Sequence, residues 1–221
     1  MEKPLKGLLI TLEGGEGSGK STIMARLKAD LESNGHDCLV TREPGGSTLG
    51  SEIRSLLLTA RSAHPIHPMA ELMLFLADRA QHIQEVIRPA LEEGKVVICD
   101  RYNDSTIAYQ GFGRGLDIPT VQEICERVSG RVKPFVTLYL DVDPKTGLER
   151  AKQAAKEDSA AGEMDRIESE ELAFHRQLRK GFHWLIEQNP DRMILIDANR
   201  PLEDVYEETK TLFFDRIKGY V

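Results

Sequence analysis

Gly14, Gly15, Glu16, Gly17, Ser18, Gly19, Lys20 and Ser21 bring three kinds of chemistry together at fixed spacing: freed backbone, a lysine and a hydroxyl. Two glycines five apart, followed by lysine and a hydroxyl residue, satisfy the phosphate-loop pattern. Without Cβ atoms the loop can turn successive N–H groups inward and wrap a triphosphate. In this pattern Lys20 holds the β- and γ-phosphates, the Ser21 hydroxyl takes one position on Mg²⁺, and Thr22 completes the run expected to bind the nucleotide. The flanks agree. Gly7 to Glu13 reads as a strand, and Ile23, Met24, Leu27 and Leu31 recur at helical spacing until Gly35.

Further groups fit chemistry on an anion. The apolar run Lys95 to Cys99 ends in Asp100 and Arg101. A carboxylate at the end of such a strand is what a Walker-B position offers Mg²⁺, and an adjacent arginine can grip phosphate oxygens; a capping pair for the next helix is the other reading. Arg42 and Glu43 close a second short strand, Asp37 to Glu43, before Pro44, Gly45 and Gly46 end regular structure. Open α/β sheets bind ligands at that strand end, although a surface ion pair at a turn would look the same. Arg79 interrupts an apolar stripe, and its simplest role is to lay its stem along the core while the head reaches water, Asp78 or Glu71. His64 and His67 flank a proline in a loop and cannot share a helix face, so they are expected to be loop residues without a metal.

The elements that must carry these groups alternate. Strands are expected at Gly7–Glu13, Asp37–Glu43, Lys95–Asp100, Phe135–Val142 and Arg192–Asp197, with a short helix around Ile53–Leu57, a long one from Met69 to Glu93, and a final one from Leu202. Pro119, Pro144 and Pro201 each suit the first turn of a helix. The pattern gives an α/β fold, a doubly wound sheet of five parallel strands with helices on both faces, in one domain over residues 1–221. Residues 150–166 break it. Arg150, Lys152, Lys156 and Arg166 stand there among small and acidic residues, a composition suited to a lid over bound phosphates, or to a solvated helix end and loop.

Composition bounds the partners. Net charge is −7 with no basic run, so a nucleic acid polymer is not expected. No apolar run approaches membrane-spanning length and the N-terminus has no signal-peptide pattern, which reads as a cytoplasmic protein. Cys38, Cys99 and Cys125 are odd in number and lie at no metal-ligand spacing, so no disulfide is expected.

With these residues in view, the chain resembles the thymidylate kinases of the bacterial kind, P-loop nucleoside monophosphate kinases, over nearly its whole length. The likeness is carried by the phosphate loop with Glu16 inside it, Thr41 to Gly46, Phe75 with Arg79, Asp100 to Tyr102, then Ser105, Thr106, Tyr109 and Gln110, and Leu138 to Val142. The resemblance implies transfer of the γ-phosphoryl group of ATP to dTMP, with Mg²⁺, in a homodimer. It implies that Arg42 and Arg101 hold the dTMP phosphate and that Glu16 bonds the 3′-hydroxyl. Phe75 would stack on thymine, Arg79 would donate to O4, Ser105, Thr106 and Gln110 would lie at the substrate, and Tyr109 would fill the space of a 2′-hydroxyl. Among the lid cations only Arg150 matches a family position, and the segment Gln153 to Gly162 is longer than in the family. A kinase for another nucleoside monophosphate shares most of these features. A GTP-binding switch should carry Asn-Lys-x-Asp, which does not occur here.

Overall fold

The computed structural model describes residues 5–59, 65–157, 166–167 and 170–220. β1 (Leu8–Gly14), β2 (Cys38–Arg42), β3 (Val96–Asp100), β4 (Val136–Asp141) and β5 (Met193–Asp197) form one parallel sheet in the order β2-β3-β1-β4-β5. The central strands are buried on both faces, and this accounts for their unbroken apolar runs. Ile10 and Leu12 of β1 meet Ile98 and Leu138 on one face, under Ile23 and Leu27 of α1 (Lys20–Ser33). Leu9, Val97 and Cys99 face the other way, under Ile83, Ile87 and Leu91. Helices therefore cover both faces, as the alternation of elements predicts.

Register sets the level of the strand ends. Leu12 and Arg42 both pair with Asp100, so the last residues of β2 and β3 stand beside the point where β1 enters the phosphate loop.

The expected helix from Met69 to Glu93 runs as α3 (Pro68–His82), a π-helical turn Ile83–Ile87 and α4 (Arg88–Glu92). The extra residue of the π turn shifts the apolar phase just before Pro89, a local adjustment that periodicity does not register. α2 spans Thr48–Thr59, longer than its apolar centre indicates. α5 (Asn103–Thr106) continues as a π turn, Ile107–Gly113, and together they carry four of the expected site residues on a segment not expected to be helical. α6 (Ile118–Ser129) and α7 (Pro144–Glu157) open at their prolines, whereas Pro201 stands one residue outside α9 (Leu202–Ile217). α8 (Leu172–Gln188) was not expected, although its Leu178, Phe182 and Leu185 recur at helical spacing.

The expected lid begins as helix, because 150–157 are the last turns of α7. Residues 158–165 and the Lys156 side chain lie outside the described residues. The cysteines are free, Cys99 and Cys125 buried and Cys38 half-buried. His67 accepts from the Met69 N–H and caps α3, as a loop residue can; His64 lies outside the described residues.

Candidate active site

The phosphate loop links β1 to α1. Gly17 and Gly19 have φ of 63° and 90°, where a side chain would be strained. Space adds to this at Gly17, since a Cβ there would lie 2.1 Å from the Gly147 carbonyl oxygen of α7. Lys20 is buried, with Nζ donating to the Gly14 carbonyl at 3.0 Å. Burial, then the neighbouring Arg101, lowers its pKa. Ser21 and Thr22 are exposed in the first turn of α1.

A cleft of about 260 Å³ opens beside the loop over the ends of β2 and β3. It is lined by Glu16, Lys20, Ser21, Arg42, Asp100 and Arg101, and by Phe75, Arg79, Ser105, Thr106, Tyr109 and Gln110. These twelve candidate site residues thus come together on one cavity, and Glu43 lines it with them. Gly14 and Gly15 belong to the loop backbone instead. Gly17, Ser18 and Gly19 line a separate cavity with Arg150, Arg200 and Leu202.

Arg101 is the pivot. Its Nη2 donates to Glu16 Oε1 at 2.9 Å, and its guanidinium carbon lies 5.0 Å from the Tyr109 ring centroid. Burial alone would raise the Glu16 pKa, but Arg101 and Lys20 outweigh it and hold the carboxylate below its ordinary range. Arg101 itself has φ of 68°, unusual outside glycine and costly. The turn is held by its N–H on the Leu12 carbonyl, 3.0 Å. The following helix start is capped by Glu13, which accepts from Tyr102 N at 2.9 Å, Ser105 N at 3.3 Å and Ser105 Oγ at 2.5 Å. Burial, then Asp104, pushes the Glu13 pKa up to about 7.

Arg79 departs from its simplest expectation. Neither water nor Asp78 nor Glu71 takes its head: it is 2% exposed, with Nε on Glu43 Oε2 at 2.7 Å and Nη1 on Thr106 Oγ1 at 3.0 Å. Glu43 also meets His82 Nδ1 at 3.0 Å. Glu43, His82 and Cys99 offer three potential metal-ligand atoms within 4.8 Å of one another. The arginine already bonded to Glu43 supplies the positive charge a metal would bring, so this is an ion-pair cluster. Asp78 fastens the glycine turn through the Gly45 N–H at 2.9 Å, and burial raises its pKa to about 6.

Asp100 Oδ1 is buried and has no hydrogen-bond partner among the described residues. An orphaned carboxylate oxygen in the same cleft as a serine hydroxyl is a donor set that fits a hard divalent cation. Arg54 of α2 lines the cleft too and donates from Nη1 to the Pro44 carbonyl at 3.0 Å. Sequence reading missed it, along with Leu58 and Ile167. Arg54 carried no signal beyond its distance from Pro44, since only the packing of α2 against the glycine turn brings it in. Arg150 lies off the cleft, with Nη1 on the Ala198 carbonyl at 2.8 Å. Arg166 turns back to α2 and α3, donating to the Leu57 carbonyl at 2.9 Å and to Glu71. Lys152 is exposed.

Comparison with known proteins agrees with this geometry. The thymidylate kinase family model matches residues 12–209. The thymidylate kinase of Protochlamydia amoebophila is 49% identical over 203 residues, 92% of this chain and 90% of that protein. That of Deinococcus radiodurans is 47% identical over 92% of this chain and 94% of its own. Among solved structures, thymidylate kinase from Ehrlichia chaffeensis superposes with a TM-score of 0.72 at 31% identity, covering 94% of this chain and 98% of that one. With a phosphate loop, a cation-lined cleft and this similarity along almost its whole length, the chain belongs to the thymidylate kinase family.

Proposed function

We propose that this enzyme transfers the γ-phosphoryl group of ATP in line to the phosphate of dTMP, giving dTDP and ADP, with the acceptor in the cleft and the donor on the phosphate loop. The observation that supports it is that Lys20, Arg42 and Arg101 line one cleft of about 260 Å³ with Phe75, Arg79 and Gln110. Two anions must meet, and like charges 4 Å apart repel by about 4 kcal/mol at an effective dielectric constant near 20. Lys20, Arg42 and Arg101 answer that repulsion with charges already in position. Ser21 and Asp100 would hold Mg²⁺, which adds positive charge at the ATP phosphates when bound. The dTMP phosphate is ionised at neutral pH, so the residues need to orient it without taking a proton from it.

In this reading Arg42 and Arg101 grip the dTMP phosphate and Glu16 accepts from the 3′-hydroxyl. Phe75 stacks on the base, Arg79 donates to O4, and Tyr109 occupies the space of a 2′-hydroxyl, with Ser105 and Thr106 beside them. The cavity between Arg150 and Leu202 suits the adenosine end of ATP. Residues 150–166 act as the lid, and Arg150 is its cation. Exposed Leu49 and Leu56 on α2 and Met69 and Met73 on α3 support a homodimer through those helices. Among the described residues no helix is long and apolar enough to cross a membrane, and a cytoplasmic location fits the ATP chemistry.

The test is turnover with ATP, Mg²⁺ and each monophosphate in turn. dTMP should lead. dUMP should fall roughly fourfold for about 0.8 kcal/mol of lost methyl burial, and dCMP further, because its amino group opposes the Arg79 donor. Equal rates with dCMP would refute the base assignment. Release of inorganic phosphate without any dTDP would refute the kinase reading.

A further inference from the structure

We infer that Glu71, without touching the nucleotide, sets the donor–acceptor polarity of the base pocket by fixing which way the Gln110 amide points. This rests on the thymine-site reading of the cleft. Gln110 is 1% exposed and lines the cleft beside Thr106 and Arg79. Its Nε2 donates to Glu71 Oε1 at 3.0 Å. An ionised carboxylate only accepts, so the amide cannot turn over without setting its carbonyl oxygen against the carboxylate. Oε1 is left on the other corner of the amide, with no hydrogen bond to it among the described residues.

Other partners keep Glu71 ionised. It is 1% exposed and accepts from Arg114 Nε at 3.0 Å, from Arg114 Nη2 at 3.3 Å and from Arg166 Nη2. Burial alone would raise its pKa, and the bonds from Arg114, Gln110 and Arg166 hold it below the ordinary range. Arg79 fixes the neighbouring position, because it can only donate. Its Nε and Nη1 are taken by Glu43 and Thr106, which leaves Nη2 for a ligand. The pocket edge therefore reads donor, then acceptor. Thymine and uracil present O4, an acceptor, and then N3–H, a donor. Cytosine presents the reverse order, an amino donor and then an unprotonated N3. Glu71 is thus a positioning residue for pyrimidine choice. An amide in its place could donate to Gln110 Oε1 and let Nε2 face the base.

The experiment measures kcat/KM for dTMP, dUMP and dCMP with the full chain as wild type, Glu71→Gln, Gln110→Ala and Arg114→Gln. Glu71→Gln should narrow the dTMP to dCMP ratio by about tenfold, through KM for the monophosphates, with KM for ATP unchanged. Arg114→Gln loosens the same cluster but leaves an acceptor-only partner for Gln110, so it should lower thermal stability and keep the ratio. If Gln110→Ala narrows the ratio and Glu71→Gln does not, the inference is overturned while the thymine site stands. The same follows if Arg114→Gln narrows it as much as Glu71→Gln, since loosening alone would then account for the effect. If Gln110→Ala leaves the ratio intact, the thymine reading fails and takes the inference with it. Should Glu71→Gln not fold, ¹⁵N NMR of the wild type decides. The Gln110 NH₂ resonances, identified by their loss in Gln110→Ala, should hold position when dTMP is added. A displacement as large as that of the cleft backbone amides would overturn the inference.

Discussion

The Glu43–Arg79 pair makes a sharp energetic prediction, because both side chains are almost wholly out of water, at 3% and 2% exposure. Removing one partner strands the other. An uncompensated buried charge costs about 3–5 kcal/mol. Glu43→Gln keeps the shape and one acceptor oxygen for Arg79 Nε, so its cost should fall just below that range, at about 2–3 kcal/mol. Arg79→Met strands the Glu43 carboxylate, which among the described residues keeps only His82 at 3.0 Å, and should cost about 3 kcal/mol. In the double variant neither charge remains. Its cost should fall short of the sum of the single costs by about 1–3 kcal/mol. Urea unfolding at pH 7, followed by fluorescence of Trp184, the single tryptophan, gives all three differences. Single costs below about 1 kcal/mol, or costs that add to within about 0.5 kcal/mol, would refute the reasoning. The pair would then be solvated well enough to behave as a surface bridge.

At Arg101, with φ of 68°, glycine should outlive alanine: Arg101→Gly should unfold about 1 kcal/mol later than Arg101→Ala in urea, although both lose turnover, and the reverse order would remove the claim of backbone strain. Asp78 has a folded pKa of about 6, above its ordinary 3.8, through burial first and then Glu43. The protonated form is favoured on folding, so its contribution to stability is present below pH 3.8 and lost as pH rises through about 6. Asp78→Asn should match wild type near pH 4 and exceed it above pH 7 by up to about 3 kcal/mol; parallel stability–pH curves would exclude this. A Cβ at Gly147 would lie 2.3 Å from the Glu16 carbonyl oxygen, so Gly147→Ala should displace the phosphate loop and cut kcat/KM for ATP by roughly tenfold or more, and unchanged kinetics would show that α7 yields instead.

Legibility in the sequence followed the range of the interactions. The phosphate loop is local, and glycine spacing with Lys20 declares it before any fold is known. The central strands β1, β3 and β4 were legible because burial on both faces writes itself as uninterrupted apolar residues, and the edge strands β2 and β5 as short apolar runs closed by a charged residue. Asp100 and Arg101 followed, since the end of such a strand is a chemically special place. Arg79 was half legible. Its helix and its turn-spacing from Phe75 are local facts, but its partner Glu43 comes from 36 residues away and carries no periodic mark. Gln110 shows the same limit, its amide being held by Glu71 across 39 residues. Arg166 and Arg54 stayed illegible because their places depend on how α2 packs. The π turn that carries Tyr109 and Gln110 was missed because its spacing fits neither template, helix nor strand.

Why these charges stand on strand ends follows from what the reaction requires. Side chains that had to swing into place would spend binding energy on reorganisation at the moment of transfer, whereas charges fixed beforehand do not. Arg42 and Arg101 leave neighbouring parallel strands whose final residues, Arg42 and Asp100, are paired in register. Lys20 leaves the adjacent loop at the foot of α1. Glu43, the next residue after Arg42, turns to α3 and holds Arg79 in the same cleft. Under the proposed reading, one dipeptide reaches toward both ends of a bound nucleotide. A shift of β2 would then move the phosphate grip and the base reader together, so its register with β3 would bear on activity as well as on folding.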